Sequence, residues 1–311
     1  MVPLNCAAMT FSARKWIPLV AITVALLAGV GVLVGISGDD EAPAAVVRPP
    51  SDLDDVLAGF AETLRPDARY EPPSADERKE IVAALRPLIE DGRGIDRPRL
   101  ADSLRPLGFT LTVGRDPATG REYALVADDR AWGLYLVDLS EPVRVAVEVP
   151  HPNSDLGTER IGLALFRAMP GAALLVAGTH RRVERGDVAH RTDSAFHAVA
   201  TDLAERDIPQ VQVHGFHDDS LPDTDVVISP GAGKAGAMIR RIAGGMADEG
   251  LATCRSWERE CGRLEGTRNE QGKVAAEHEA DFVHLELSRS VRDDESQWPK
   301  LIEPIADGLP K

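Results

Sequence analysis

Residues 143–177 read VRVAVEVPHPNSDLGTERIGLALFRAMPGAALLVA. The valine-rich run 143–149 predicts a β-strand, the apolar spacing over 156–169 predicts a helix, and the apolar run 173–177 predicts a second strand. The same alternation continues along the chain, with strands predicted over 208–213, 226–229 and 282–287 and helices over 194–205, 235–248 and 297–306. This alternation indicates an α/β domain, in which a mixed sheet carries helices on both faces.

The chain before this unit combines three more strands with a helical region. Strands are predicted over 109–113, 122–127 and 133–137, with turn residues between them. Residues 53–64 and 75–89 show helical spacing of apolar positions, and Ser74 is placed to cap the second helix. We expect this helical region to be a stalk or a packing element. The predicted boundaries are a linker and helical region over 39–105 and a catalytic α/β domain over 106–311.

The N-terminal part predicts a membrane segment. Residues 16–38 carry no charged side chain, and about 20 apolar residues in a helix are enough to cross a bilayer core. Arg14 and Lys15 precede the run and three acids follow it, so the positive-inside rule predicts a cytoplasmic N-terminus over 1–15 and an extracytoplasmic remainder. The expected protein is thus a single-pass membrane protein with the lipid bilayer as a partner. A cleaved signal peptide is the alternative, and it places the domain outside as well.

Composition narrows the class of protein further. The 311-residue chain has a formal net charge of −15 and lacks the clustered lysines and arginines of a phosphate-binding surface, so nucleic acid is excluded as a partner. Cys254 and Cys261 are separated by six residues. On the oxidising side of a membrane this spacing favours a local disulfide over two free thiols.

Two histidines stand where predicted strands end, and loops that follow strands in an α/β sheet converge on a crevice. His151 follows the run 143–149, and Asp155 comes four residues later. The two side chains could share a zinc ion, unless Asp155 only caps the next helix. His214 follows the run 208–213 in the same way.

A carboxylate in the last predicted strand also needs an explanation. Phe282, His284 and Glu286 share one face of the strand 282–287. Burying a carboxylate there is costly unless it has a partner or a task. Glu286 therefore either pairs with Arg289 or Arg292 or serves as the general base of a metal-activated water.

Four segments, taken in order, resemble the poly-γ-glutamate hydrolases of phage and bacteria, and more loosely N-formylglutamate amidohydrolases. The segments are PHPNSDLGTE (150–159), AHRTDSAF (189–196), VHG (213–215) and LELSRSVR (285–292). This resemblance implies a zinc carboxypeptidase-like fold, with His151, Asp155 and His214 holding Zn²⁺ and Glu286 acting as catalytic base. The family tends to have glutamate where Asp155 stands, with one more residue after the histidine, so Glu159 is the alternative carboxylate ligand.

The resemblance also suggests where substrate binds. His190 lies in a segment that lines the substrate cleft in that family, and Asn269 lies in one that resembles its substrate-orienting segment. Arg191, with Arg181 nearby in the sequence, and Arg289 could bind a carboxylate through two hydrogen bonds. The alternative for the arginines near His190 is a solvated basic loop.

Taken together, the sequence predicts a membrane-anchored, extracytoplasmic, zinc-dependent amidohydrolase or peptidase. Its expected substrate is a peptide or a γ-glutamyl polymer, cleaved at an amide bond by metal-activated water. A non-catalytic binding protein of the cell envelope that retains the fold is the alternative.

Overall fold

A computed structural model describes residues 52–310 of the chain. The predicted cytoplasmic segment 1–15 and membrane anchor 16–38 lie outside the described residues. Within 52–310, no helix is both long enough and apolar enough to cross a bilayer.

Helices and strands alternate along most of the described chain. The helices are α1 (Leu53–Thr63), α2 (Ala75–Glu90), α3 (Arg97–Leu104), α4 (Thr158–Ala168), α5 (Ala195–Glu205), α6 (Ala237–Asp248), α7 (Glu270–Glu277), α8 (Arg289–Asp293) and α9 (Trp298–Gly308). The strands are β1 (Phe109–Arg115), β2 (Glu122–Asp128), β3 (Leu134–Asp138), β4 (Val145–Val149), β5 (Ala172–Val176), β6 (Gln210–Gly215), β7 (Val226–Ser229), β8 (Thr253–Arg255) and β9 (Phe282–Leu287).

Within residues 52–310 the nine strands form one sheet in the order β1-β2-β3-β5-β4-β6-β9-β7-β8. The central strands β5, β4, β6 and β9 run parallel to one another. Strand β3 pairs with β5, and β7 with β9, in antiparallel fashion. The predicted mixed sheet is therefore confirmed.

Two apolar cores lie on opposite faces of this sheet. Leu174 and Val176 of β5 join the core formed with α1, α4, α6 and α9, whereas Ala173 and Leu175 join the core formed with α2, α3 and α5. Successive side chains of a strand point to opposite faces, so the sheet lies between two helical layers. Each fully buried leucine or valine in these layers contributes roughly 1.5–3 kcal/mol of transfer free energy.

The N-terminal helices complete these cores. Helix α1 contacts α4 and supplies Leu53 and Leu57 to the first core, while α2 contacts α5 and supplies Leu85 and Leu88 to the second. Ser74 caps α2 as predicted, and the Glu77 side chain accepts a hydrogen bond from the Ser74 backbone N–H, which completes a capping box. Of the two expectations for this region, a stalk or a packing element, the second is correct: α1 and α2 pack against the domain.

The predicted strands and long helices are confirmed to within a few residues at each end. Four short elements, α3, α7, α8 and β8, carry no clear apolar period and are not indicated by the sequence pattern. Helix α7 has the sequence EQGKVAAE and owes its start to a cap, because the Asn269 side chain accepts a hydrogen bond from the Gly272 backbone N–H.

The predicted disulfide between Cys254 and Cys261 is present. The two half-cystines pack with Phe216 and Val227 in a small apolar cluster. After Cys261, residues 262–268 form a loop that leads to α7. This loop is fastened by Glu265, whose side chain accepts from the Cys261 N–H at 2.7 Å and whose carbonyl accepts from the Ser229 hydroxyl.

Candidate metal centre

The candidate centre forms where three parallel strands end. Strand β6 pairs in parallel with both β4 and β9, so their carboxyl ends meet at one edge of the sheet. His151 lies just beyond β4, His214 is near the end of β6, and Glu286 is the register partner of His214 on β9. Strand pairing thus brings together side chains that are far apart in the sequence.

Three atoms of His151, Asp155 and His214 face one another at the centre of this site. His151 Nδ1 lies 3.1 Å from His214 Nδ1 and 3.1 Å from Asp155 Oδ2, and His214 Nδ1 lies 3.5 Å from the same oxygen. A tetrahedral zinc ion with bonds of about 2.0–2.1 Å separates its ligand atoms by about 3.3–3.4 Å. The three separations therefore fit three corners of a zinc coordination sphere, and all three side chains are buried.

The far ring nitrogen of each histidine is bound to an oxygen. His151 Nε2 lies 2.8 Å from Asp187 Oδ1, and His214 Nε2 lies 2.6 Å from Gln212 Oε1. Carboxylate and amide oxygens only accept hydrogen bonds, so each Nε2 carries a hydrogen and, in the neutral ring, each Nδ1 presents a lone pair. Metal-binding histidines are typically held in this way by an acceptor on the second nitrogen.

Two lone pairs and a carboxylate oxygen this close to one another require a positive charge between them. A proton on His151 can supply it: burial lowers the pKa of His151, but hydrogen bonds with Asp155 and Asp187 outweigh burial and raise it overall. Burial lowers the pKa of His214 to about 4, so His214 is neutral near pH 7. A divalent metal ion fits the same position and would displace the proton from His151.

Asp155 is held in this group and does not cap a helix. The N-cap of α4 is Gly157, and no side chain caps that helix. Asp155 Oδ2 also accepts from the Gly215 N–H at 3.3 Å. Burial would raise the pKa of Asp155, but contacts with His151, whose protonated ring donates to the carboxylate, and with His214 lower it far below its usual value, so the carboxylate is ionised. The alternative carboxylate, Glu159, lies in the first turn of α4 outside this group.

Glu286 lies beside the group without an arginine partner. Arg289 pairs with Asp293 at 2.6 Å, and Arg292 donates to the backbone carbonyls of Leu287, Leu156 and Phe216. A Glu286 carboxylate oxygen lies within 4.8 Å of ring nitrogens of His214 and His284. Burial, with the charge of Asp155 adding to it, raises the pKa of Glu286 well above its usual value. A cation bound at the neighbouring ligands would favour the ionised form.

His284 is a third imidazole at the site, and it was not predicted as a ligand or a substrate-binding residue. Its ring lies between two neighbours, with the His214 ring centroid at 4.6 Å and Gly266 against the ring. Only 2% of His284 is exposed, and its Nδ1 has no hydrogen-bond partner within residues 52–310. The sequence did contain a signal for this residue, since His284 stands two positions before Glu286 on the same face of one strand.

Of the predicted substrate residues, the structure brings only His190 to an open cavity beside the centre. Arg191 pairs with Asp193 at 2.7 Å, and Arg289 pairs with Asp293. Asn269 is buried and caps α7. These three side chains are therefore committed to other contacts.

The cavity has a volume of about 250 Å³ and is lined by His190 and by residues of the 262–268 loop, including Arg263, Gly266 and Arg268. His190 Nδ1 lies 3.1 Å from Asp187 Oδ1, the oxygen that also contacts His151 Nε2, so the cavity adjoins the candidate centre. Arg263 and Arg268 are exposed, and no acid of residues 52–310 pairs with them.

Asp187 was not predicted as a site residue, and Arg181 was considered only as an arginine that could bind a substrate carboxylate. Arg181 contacts both carboxylates that flank His151, at 3.5 Å from Asp155 Oδ1 and 3.4 Å from Asp187 Oδ2. Both residues belong to an irregular loop between β5 and α5, and no period or cap in the sequence fixes where such a loop runs.

Comparisons with known proteins give structural neighbours only, because the sequence matches no family model and no curated protein. A bacteriophage poly-γ-glutamate hydrolase is similar with 13% identity and a TM-score of 0.36, over 67% of this chain and 93% of its own. A candidate carboxypeptidase from Burkholderia mallei is similar with 14% identity and a TM-score of 0.38, over 77% of this chain and 67% of its own. An aspartoacylase family protein from Mesorhizobium loti is similar with 11% identity and a TM-score of 0.35, over 65% of this chain and 67% of its own. The neighbours include classes of protein that the sequence motifs resemble.

The contact between Gly266 and His284 can be tested with two glycine substitutions in one loop. A Cβ on Gly266 would lie 2.5 Å from His284 Cδ2, whereas a Cβ on Gly262 would meet open space, and both glycines have positive φ, +62° and +71°. Both alanine variants should lose about 1–2 kcal/mol from the left-handed backbone. Only Gly266→Ala should lose more, and only this variant should bind metal more weakly.

Thermal unfolding and metal titration of the two variants would measure these effects. Equal loss of stability in both variants, with metal affinity unchanged in Gly266→Ala, would show that the loop does not hold the His284 ring.

Proposed function

We propose that this protein is a zinc-dependent hydrolase of amide bonds, with His151, Asp155 and His214 as the metal ligands. The observation that carries the proposal is the convergence of their three ligand atoms at 3.1–3.5 Å, with the far nitrogen of each histidine already committed to an acceptor. Two nitrogens and one oxygen form a ligand set typical of catalytic zinc, in which a fourth position is left for water.

Zinc in such a site lowers the pKa of water towards 7 and polarises a carbonyl group. Glu286 is placed to act as the general base, because it adjoins the ligands and no arginine of residues 52–310 forms a salt bridge with it. It would accept a proton from the attacking water and return it to the nitrogen of the leaving amine. Arg181 contacts Asp155 Oδ1 and Asp187 Oδ2 and would hold the two carboxylates on either side of His151 in place.

The substrate class follows from the cavity beside the centre. The chain carries a net charge of −15, so an anionic substrate needs a local positive surface to approach it. Arg263 and Arg268 provide such a surface at the cavity wall, beside His190. A peptide or γ-glutamyl polymer with a carboxylate near the scissile amide fits this arrangement.

The proposed location is the outer side of a membrane, with residues 16–38 as a single-pass anchor. The uncharged run between a basic and an acidic flank supports this orientation. The Cys254–Cys261 disulfide supports it independently, because disulfides persist in oxidising compartments. The lipid bilayer is then a partner of the protein.

The second candidate function is a non-catalytic binding protein of the cell envelope. It would keep the same fold and cavity, but it would not use the carboxylate of Glu286 for proton transfer. The two candidates therefore differ in what they predict for a substitution of that single residue.

The full-length protein should bind one zinc ion per chain, measured by elemental analysis and chelator competition. His151→Ala and His214→Ala should each lose the ion, because the remaining ligand atoms cannot complete the site.

Glu286→Gln should keep the ion and lose about 100-fold or more in amidase turnover, as expected for a general base. A wild-type protein without metal would overturn the zinc proposal, and unchanged biological function in Glu286→Gln would favour the binding protein.

Arg263→Ala and Arg268→Ala should each raise KM for α- or γ-linked glutamyl peptides by about tenfold, as expected for the loss of a charged hydrogen bond. Arg99→Ala, on an exposed site of α3, removes the same charge away from the cavity and serves as the matched control. A neutral peptide amide should lose little affinity in either cavity variant. If all three variants have the same KM for the glutamyl peptides, the cavity does not recognise the charge of the substrate.

Protease added to intact cells that express the full-length chain should digest residues 52–310. A cytoplasmic marker should survive in the same cells, and permeabilisation should expose both proteins. Protection of the domain in intact cells would contradict the proposed orientation, without bearing on the metal site.

A further inference from the structure

Four buried polar side chains form a chain of hydrogen bonds that leads to His214. Glu148 on β4 and Gln212 on β6 are register partners, and both are 0% exposed. Asn269 and Gln271 reach the same place from the start of α7. This network lies on the sheet face that carries His214, where a purely apolar core would have left the imidazole without partners.

The side-chain amide of Gln212 is the junction of this network. Its Nε2 donates to Glu148 Oε2 at 2.7 Å and to Gln271 Oε1 at 3.3 Å. Its Oε1 accepts from His214 Nε2 at 2.6 Å and from Asn269 Nδ2. All donors and acceptors of this amide are therefore in use.

The partners of Gln212 fix which way its amide points. Burial raises the pKa of Glu148 to about 7, and in its ionised form the carboxylate only accepts, so that form faces the NH₂ group. Gln271 donates its own NH₂ to the Val188 carbonyl at 3.0 Å, which turns its oxygen towards Gln212. Asn269 accepts from the Gly272 N–H through Oδ1, which turns its NH₂ towards the Gln212 oxygen. The donor and acceptor assignments agree at every step.

We infer that Gln212 is a positioning residue for the metal centre, locked by Glu148 so that His214 keeps its hydrogen on Nε2 and directs the Nδ1 lone pair at the ion. A reversed amide would place NH₂ against Nε2 and favour hydrogen on Nδ1, which would block metal binding. Gln212 does not touch the reacting atoms and acts through His214. The inference rests on the proposed metal site and adds the residues that set the tautomer of His214.

The chain offers a matched control for the test. Gln210 is two residues earlier on the same face of β6 and is also 0% exposed. Its Nε2 donates to the Ala200 carbonyl at 3.0 Å, and neither end of its amide contacts a site residue. Gln212→Met and Gln210→Met remove the same amide from the same strand with nearly the same volume.

Gln212→Met in the full-length protein should weaken zinc binding by about 10- to 100-fold, the usual effect of losing an outer partner of a metal ligand. Gln210→Met should lower stability and leave zinc affinity unchanged. Gln212→Glu keeps an acceptor for His214 and should retain wild-type affinity, with the carboxyl of Glu148 taking up a proton to donate to the new carboxylate. ¹⁵N NMR of the metal-free wild type should show the Nε2–H tautomer for His214, and this signature should be lost in Gln212→Met.

Equal zinc affinity in Gln212→Met and the wild type would overturn the inference while leaving the zinc hydrolase intact. An Nδ1–H tautomer of His214 in the wild type would also overturn it. Absence of zinc binding in the wild type would instead count against the proposed function itself, so the two failures are distinguishable.

Discussion

Two buried imidazole nitrogens and a carboxylate oxygen point at one small space, and this repulsive arrangement is the constraint around which the domain is organised. It persists because the three parallel strands fix the backbone positions and because each ring is held from behind, His151 by Asp187 and His214 by Gln212. Such a concentration of lone pairs is costly to fold without a cation. Metal binding at the proposed site would therefore be coupled to folding.

The two faces of the sheet differ in polarity: one is an apolar core, and the other becomes polar near the candidate site. The face covered by α4, α6 and α9 is an unbroken apolar core, and it supplies much of the burial free energy. The opposite face begins as an apolar core under α2 and α5 but turns polar towards α7, where Glu148 and Gln212 are buried. A polar interior of this kind is tolerable only when its groups are satisfied, and the amide network meets that condition for Gln212.

Sequence reasoning located the elements and the centre of the site, because strand ends and apolar periods are local signals. His151, His214 and Glu286 each stand near the end of a predicted strand, and the structure places them at one edge of the sheet. It could not assign Asp187, which lies in an irregular loop. Nor could the sequence distinguish Arg191, which pairs with Asp193, from Arg263, which pairs with no acid of residues 52–310. Those differences depend on where loops run in the folded chain.

The cavity lined by the 262–268 loop depends on the disulfide, whereas the candidate ligands do not. Cys254 and Cys261 fasten the base of the 262–268 loop, whose residues line the cavity and press on His284. The candidate ligands His151 and His214 lie at or just beyond the ends of β4 and β6, away from this disulfide. In a reducing environment the histidines and Asp155 could still assemble while the cavity wall with Arg263 and Arg268 stayed loose. Under the proposed function, substrate binding would then depend on formation of the disulfide.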